Sequence, residues 1–364
     1  MKFIRAILLI VNILLAVGLL VSTLAGSFGP SQFLPPSLAA YFYLPLLGAN
    51  LLMVVVWLLM GRWEFLLSVA VIVLRWGTVG MYLQVGGTSK MPDREEHPMM
   101  VTLMTYNVHQ FQGREDQPAQ SDSNAAEFLA LVREHQPDVL CLQEYAAPKT
   151  LRVTDSLVQM GYNHYYGSRT TARGLPYSTV VFSRLPITYV TRIDSEKLLV
   201  EMLKETRPLR VCCVHMDSYR FDSTDREEID RMRHGEVQES SRRTMGKVKE
   251  TILSHETEWL QNIEPVVSAS SVPLVLAGDL NDIPNSWLCH RLSDRLTDAF
   301  CAKGNGLGAT YNGSPLLSSG QGWLPRFRID AVYFSEGIEA LSYKRIRTDM
   351  SDHYPVMTAL ELVP

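Results

Sequence analysis

After about residue 100, the chain repeatedly sets a residue able to hold a divalent cation or move a proton beside an apolar, strand-like run. Five such runs end on their polar residue: Met104-Thr105-Tyr106-Asn107, Val139-Leu140-Cys141-Leu142-Gln143-Glu144, Val211-Cys212-Cys213-Val214-His215, Leu274-Val275-Leu276-Ala277-Gly278-Asp279-Leu280-Asn281 and Ser351-Asp352-His353-Tyr354-Pro355. A sixth, Arg328-Ile329-Asp330-Ala331-Val332-Tyr333-Phe334, opens a strand instead. Strand ends project side chains rigidly toward a sheet edge, so buried strands can gather distant residues into one cleft.

The residue types suggest particular chemistry. Glu144 follows a nearly unbroken apolar run, where a lone carboxylate is costly and a hard cation is a natural partner. Asp279 and Asn281 alternate along what reads as an extended segment. That spacing suits one carboxylate to exchange a proton and one amide to orient a phosphate or water. The same Gly278-Asp279-Leu280-Asn281-Asp282 run also fits an Asx turn. Asp352-His353 offers a second carboxylate beside an imidazole, and Asp330 is suited to accept the ring proton of His353. Asn107 alone fits a turn or cap as well as a ligand, and His215 alone fits a satisfied core histidine. Their joint occurrence carries the argument for a site.

The elements that must position these residues are strands alternating with helices. A helix is expected from Asp122 or Ser123 to about Glu134, stopped by Pro137, and another from Glu239 to Trp259. Further strands are expected at Ser178 to Phe182, Ile187 to Arg192, Arg207 to Val214 and Val272 to Ala277. Wholly apolar and alternating strands together predict sheet packed on sheet with helices outside. Cys212 and Cys213 should point to opposite faces of their strand, Cys289 and Cys301 are near enough to loops to form a disulfide, and no metal-binding Cys spacing is present.

The first ninety residues differ. Ala6 to Leu24, Tyr41 to Met60 and roughly residues 66 to 86 are apolar runs of about the twenty residues a helix needs to cross a bilayer. This predicts a membrane anchor at residues 1–86 with two to three transmembrane helices, a polar linker at 87–99 and a catalytic domain at 100–364. Lys2, Arg5 and Arg62 mark the amino terminus and the second loop as cytoplasmic by the positive-inside bias. Arg75 in the third run decides the parity: three spans put the catalytic domain outside the cytoplasm, the expectation here, and two keep it inside. The formal net charge is −4, and removing the five bases and one acid of residues 1–90 leaves 29 bases and 37 acids, about −8. Such a balance argues against gripping a long polyanion. Arg169, Arg173, Arg184, Arg242 and Arg243 are nevertheless candidates for a local basic patch.

Together, Tyr106-Asn107-Val108, Leu142-Gln143-Glu144, Val214-His215, Gly278-Asp279-Leu280-Asn281-Asp282-Ile283-Pro284, Arg328-Ile329-Asp330 and Ser351-Asp352-His353-Tyr354-Pro355-Val356 resemble the ordered motifs of the endonuclease/exonuclease/phosphatase superfamily. Leu296-Thr297-Asp298-Ala299-Phe300 and Gly308-Ala309-Thr310-Tyr311 resemble its bacterial members, and the match runs from about Val101 to Val363. The resemblance implies a four-layered α/β sandwich of two packed mixed β-sheets flanked by helices, here preceded by transmembrane helices. It also implies a Mg²⁺-dependent hydrolase, with Mn²⁺ as a substitute. Carried over by motif, Asn107, Glu144 and Asp352 hold the metal. Asp279 activates water or protonates the leaving group, Asn281 holds a phosphate oxygen, and His353 oriented by Asp330 stabilises the transition state. His215 contacts the phosphate or serves as acid. The expected substrate is a phosphate ester, a lipid headgroup or small molecule before nucleic acid, hydrolysed by an enzyme anchored in a bacterial inner membrane. No protein partner is expected. The alternatives are a nuclease and a non-catalytic membrane-tethered binding domain.

Overall fold

A computed structural model describes residues 2–113, 121–146, 152–171, 174–219, 239–312 and 327–363, with single positions 221, 224, 225, 228 and 231. Helix α1 (Lys2–Ser22), the short α2 (Pro35–Ala40), α3 (Tyr43–Leu59), α4 (Phe65–Leu74) and α5 (Trp76–Tyr82) open the chain. Asn12, Asn50 and Ser68 meet in the interior of this helical region. The Asn50 amide donates to Leu15 O at 3.0 Å and Leu46 O at 2.9 Å, and the Ser68 hydroxyl lies 2.6 Å from Asn12 Oδ1 and 2.9 Å from Asn50 Oδ1. Apolar side chains such as Ile4, Leu14, Leu52, Leu58 and Val73 face outward.

Among the described residues, only α1 is by itself long and apolar enough to cross a membrane, α3 being 17 residues long. The third apolar run, expected as one span with Arg75 in its middle, is two helices, α4 and α5, that meet at Arg75 with a bend of 69° and are together long and apolar enough for one broken span. The physical reason is visible at the break. The Arg75 guanidinium donates to Thr23 Oγ1 at 2.8 Å and Thr23 O at 2.6 Å, so the charged head is satisfied beside the end of α1.

The segment 87–99 carries no helix or strand and is bonded along its length. Thr88 N donates to Lys303 O and Arg94 reaches Asp138, while His97 contacts Glu361 at 2.7 Å. Just before it, β1 (Leu83–Gln84) pairs with β11 (Gly306–Leu307).

Two six-stranded mixed sheets make up the rest. The first runs β13 (Ile338–Arg345), β14 (Val356–Leu362), β2 (Met100–Asn107), β3 (Val139–Tyr145), β5 (Pro176–Ser183), β4 (His164–Thr170). The second runs β10 (Thr297–Asp298), β12 (Asp330–Phe334), β9 (Leu274–Asp279), β8 (Arg207–His215), β7 (Lys197–Lys204), β6 (Ile187–Arg192). Within each sheet one central pair is parallel, β2 with β3 and β8 with β9, and every other pairing is antiparallel.

The period-two alternation of strand side chains sorts the core into layers. Val101, Leu103, Val139 and Cys141 of the first sheet meet Val200, Val211, Cys213, Val275 and Ala277 of the second. On the outer face of the first sheet, Met104, Tyr106, Leu140 and Leu142 pack on Phe128 and Val132 of α6 (Ser121–His135) and Leu157 of α7 (Val153–Gln159). On the outer face of the second, Cys212, Val214, Leu274 and Leu276 pack on Trp259, Ile263, Leu288 and Cys289. These come from the π turn Trp259–Ile263, which continues α8 (Glu239–Glu258), and from α10 (Trp287–Ser293), with the short α9 (Glu264–Ser268) between them. Each fully buried aliphatic or aromatic side chain contributes about 1.5–3 kcal/mol. Cys212 and Cys213 do face opposite layers. Cys289 and Cys301 are free thiols, so the disulfide expected as an option is not formed.

Candidate active site

The two parallel pairs bring four strand ends to one edge, because parallel neighbours end on the same side. Asn107 is in register with Gln143, next to Glu144, and His215 is in register with Asp279. The antiparallel β12 starts at the same edge with Asp330 opposite Asp279. At Gly278 the strands come so close that a Cβ would lie 1.8 Å from Val214 O, so the residue before Asp279 has to be glycine.

Asn107, fully buried, ties the sheets together: its amide donates to Glu144 Oε1 at 3.1 Å and to Asp279 Oδ2 at 3.0 Å. Glu144 sits at a bulge between Leu142 and Tyr145 with φ 51°, a left-handed backbone that a glutamate adopts only at a cost of about 1–2 kcal/mol. Its side chain remains 30% exposed and lies 3.8 Å from His215 Nε2. Strain of this kind concentrates at functional sites.

Asp279 and Asn281 do not leave one face of an extended segment, as the spacing suggested. The strand ends at Asp279, whose Oδ1 accepts the Asn281 N–H at 2.9 Å and turns Asn281 to φ 48°. This Asx turn was the other reading of the run, and it presents both residues at the edge. The Asn281 amide gives one hydrogen to Met216 O at 2.9 Å.

His353 Nδ1 and Asp330 Oδ2 are 2.9 Å apart, and His353 Nε2 lies 3.7 Å from Asp279 Oδ2. Ser351 Oγ bonds both Asn107 O at 2.8 Å and Asp352 Oδ1 at 3.1 Å, which brings Asp352 to the same edge. All eight expected residues therefore converge.

Electrostatics follow from burial. Desolvation pushes the Asp279 carboxyl up, against the charges of His353 and His215 and the hydrogen bond from Asn107. Burial alone would lower His353, but the charges of Asp330 and Asp279 outweigh it and raise the imidazole well above its ordinary value. His215 is raised as well: burial opposes it, while the hydrogen bond to Glu196 and the charges of Asp279 and Glu144 prevail.

Four residues near the site were not singled out from the sequence. Glu196, 3.4 Å from His215 Nδ1, also accepts from Ser178 at 2.5 Å, but it lies in a charged turn that carries no strand-end signal. Thr310 Oγ1 accepts the N–H groups of Ile329 and Asp330, both at 3.0 Å, and Tyr311 stands edge-on to His353 with ring centres 5.1 Å apart. Both lie in the Gly-Ala-Thr-Tyr run. His109, at φ 43°, lies 3.6 Å from Asp352. Of the candidate basic patch, the described residues show only part. Arg184 lies over the Tyr162 ring at 4.7 Å and Arg169 pairs with Glu196 at 3.5 Å, while Arg173 and most of the charged stretch between Tyr219 and Arg243 fall outside the described residues.

The donor set fits a divalent cation. Among the described residues, no lysine or arginine pairs with Glu144, Asp279, Asp330 or Asp352. One ligand atom each of Asp279, Asp330 and His353 lies within 4.8 Å of the others, and buried Asp330 Oδ1 has no hydrogen-bond partner among the described residues. Clustered carboxylate oxygens with no lysine or arginine beside them are an environment in which a hard metal ion is at home.

Comparison with known proteins agrees with this geometry. Residues 104–353 match the Endonuclease/Exonuclease/phosphatase family, and residues 5–82 match a domain of unknown function (DUF8431). Among solved structures, an endonuclease/exonuclease/phosphatase from Beutenbergia cavernae DSM 12333 is similar at 21% identity and TM-score 0.48, over 73% of this chain and 72% of that one. The human Nocturnin catalytic domain with bound sulfate is similar at 14% identity and TM-score 0.48, over 75% of this chain and 100% of that one. TDP2 from Caenorhabditis elegans is similar at 20% identity and TM-score 0.45, over 74% and 77%. None of the curated proteins matches. A family match that spans more than two thirds of the chain and encloses the whole carboxylate and histidine cluster makes this protein a member of the endonuclease/exonuclease/phosphatase family and a metal-dependent hydrolase of phosphoric esters.

Proposed function

We propose that the chain hydrolyses phosphodiesters by in-line attack of water on phosphorus. The observation that carries this reading is the bonded series Glu144–Asn107–Asp279 with His353–Asp330 behind it, all on one sheet edge. The family match covers nucleases as well as phosphatases, and it favours a nucleic-acid backbone over the lipid headgroup expected from charge and tether. The outward apolar face of the amino-terminal helices keeps a membrane-borne phosphodiester as the second reading.

Glu144, Asn107 and Asp352 would hold Mg²⁺. Glu144 is more open than Asp279, Asp330 or Asp352, and Asp330 is committed to His353. A bound cation would polarise a phosphoryl oxygen and offset developing charge. Asp279, held by Asn107 and by its own Asx turn, takes a proton from water or returns one to the leaving oxygen. His353, kept cationic by Asp330, faces charge on the equatorial oxygens, and His215 contacts the phosphate or serves as acid. Asn281 has its second amide hydrogen for a phosphate oxygen.

The test is hydrolysis by the full chain in detergent micelles, over single-stranded and duplex DNA, RNA, phospholipid and a generic diester. Chelation with EDTA should abolish turnover and Mg²⁺ or Mn²⁺ restore it, and Glu144→Gln should lower kcat by about 10²-fold or more at saturating Mg²⁺. Activity that survives EDTA, or a Glu144→Gln enzyme with wild-type turnover and Mg²⁺ dependence, would contradict the assignment.

For organisation, we propose a membrane anchor at 1–86, a pinned connector at 87–99 and a catalytic unit at 100–364. Support comes from the two ends of the helical region. Arg5 pairs with Glu64 at 2.5 Å at one end, whereas Ser22 O, Gly26 O and Met81 O, at the other, accept hydrogen bonds from Asn285, Arg291 and Arg328. With Lys2, Arg5 and Arg62 cytoplasmic, the catalytic unit lies on the far side. Protease added to spheroplasts should degrade the catalytic unit, and its survival there, with digestion only after lysis, would reverse the orientation.

A further inference from the structure

We propose that Tyr41, from the amino-terminal helical region, is a positioning residue for the turn Asp279–Asp282, so that this region completes the site as well as tethering it. The proposal rests on the reading of that turn as catalytic. Asp282 directly follows Asn281 and is only 4% exposed. Its Oδ1 accepts the Tyr41 hydroxyl at 2.8 Å and its own Ile283 N–H at 2.9 Å, and its Oδ2 lies 3.0 Å from His255 Nδ1.

The other His255 nitrogen is 2.8 Å from Asp217 O. A carbonyl only accepts, so Nε2 carries a hydrogen, and Nδ1 has a carboxylate to donate to. His255 thus bridges Asp282 to the loop that leaves His215. Asp217 N donates to Glu258 Oε1 at 3.1 Å, and Met216 O, one residue earlier, accepts the Asn281 amide. One buried carboxylate therefore joins three segments: the turn of Asp279 and Asn281, the loop after His215, and the segment before α3. The hydroxyl of Tyr219, on that same loop, also bonds the Tyr41 hydroxyl.

The seam around Tyr41 is closely packed. Glu256 accepts Ser31 N at 2.7 Å and Ser31 Oγ at 3.0 Å, and a Cβ at Gly26 would lie 2.3 Å from His290 Cγ. The cavity lined by Tyr41, His255, Asp282 and Ser37 has a volume of about 10 Å³, the size of one water, and buried Ser37 Oγ has no partner among the described residues. Tyr41 therefore has little room to move away from Asp282.

The experiment compares full-length wild type, Tyr41→Phe and the exposed-site control Tyr189→Phe in detergent micelles. It follows amide hydrogen exchange in peptides spanning 216–219 and 279–285, and kcat and KM on bis(p-nitrophenyl) phosphate with Mg²⁺. Tyr41→Phe should speed exchange in both peptides and lower kcat about tenfold with KM unchanged, while exchange in β2 stays as in wild type. Tyr189→Phe should change neither. Unchanged exchange in the two peptides overturns the proposal whatever the activity, and so does faster exchange with wild-type kcat. If Tyr41→Phe does not fold, Tyr219→Phe, which removes only the second hydroxyl, is read by the same criteria. Should wild type cleave neither this ester nor any other on the panel, the proposed function falls, and the exchange data still decide whether Tyr41 fixes the turn.

Discussion

Asp279→Asn is expected to lower kcat by about two to four orders of magnitude while the fold persists, the range for loss of a positioned proton-transfer group. The side chain is 1% exposed, its Oδ1 accepts the Asn281 N–H and its Oδ2 the Asn107 amide, so asparagine, of the same shape, keeps the Asx turn through its oxygen and gives up the bond from Asn107. The pH dependence of stability gives a second, independent readout. Because burial raises the folded pKa of Asp279, the native state binds its proton more tightly than the unfolded chain does. Its favourable contribution is complete below the unfolded value of about 3.9 and is lost as pH rises through the folded value. The asparagine variant has no such loss, so its urea midpoint should gain on wild type between pH 4 and 7. Near-wild-type kcat, or a midpoint gap that narrows in the variant's disfavour over that range, would count against the assignment.

Asp330→Ala should cost about 3–5 kcal/mol of stability and most of the activity, because it leaves a buried imidazolium without its partner. His353 is 4% exposed, and burial by itself would expel its charge, yet Asp330 and Asp279 hold its pKa well above the ordinary histidine value. The stabilisation is therefore complete below the unfolded value of about 6.5 and disappears as pH climbs through the raised folded one. Wild type should lose thermal stability on the alkaline side, and Asp330→Ala should lack that decline. Melting temperatures at pH 6 and pH 9 decide the matter: a difference between the two proteins that is the same at both would mean that the pair contributes no charge-dependent stability. Turnover should fall by about 10²-fold or more, since an unanchored ring no longer faces the reacting phosphate.

The site was more legible in the sequence than the scaffold. Glu144, His215 and Asp279 announce themselves because each interrupts an apolar run where an unpaired polar group is costly. The strands β4, β7, β13 and β14 were not anticipated. His164–Thr170 and Lys197–Lys204 carry polar and charged residues, and β13 is bulged between Ala340 and Ser342, which breaks the period-two pattern. Glu196 was invisible for a related reason, since its role exists only once the hairpin turn between β6 and β7 folds under His215. The bend in the third apolar run was not legible, because composition alone does not reveal that Arg75 finds Thr23 there. In the Asp279–Asn281 run, spacing could not separate an extended strand end from an Asx turn, because both place a carboxylate and an amide two residues apart.

The position of β14 has a consequence for biosynthesis. This last strand lies inside the first sheet, between β13 and β2, and pairs Val356 with Thr105 across some 250 residues of chain. Until it emerges from the ribosome, β2 has no partner on one side and Asn107 has no Ser351 beside it. The first sheet therefore closes only after Leu362 has emerged, and no hydrolytic centre exists on the nascent chain before then. The amino-terminal helices, whose mutual contacts are local in sequence, are free to assemble long before the hydrolytic centre exists.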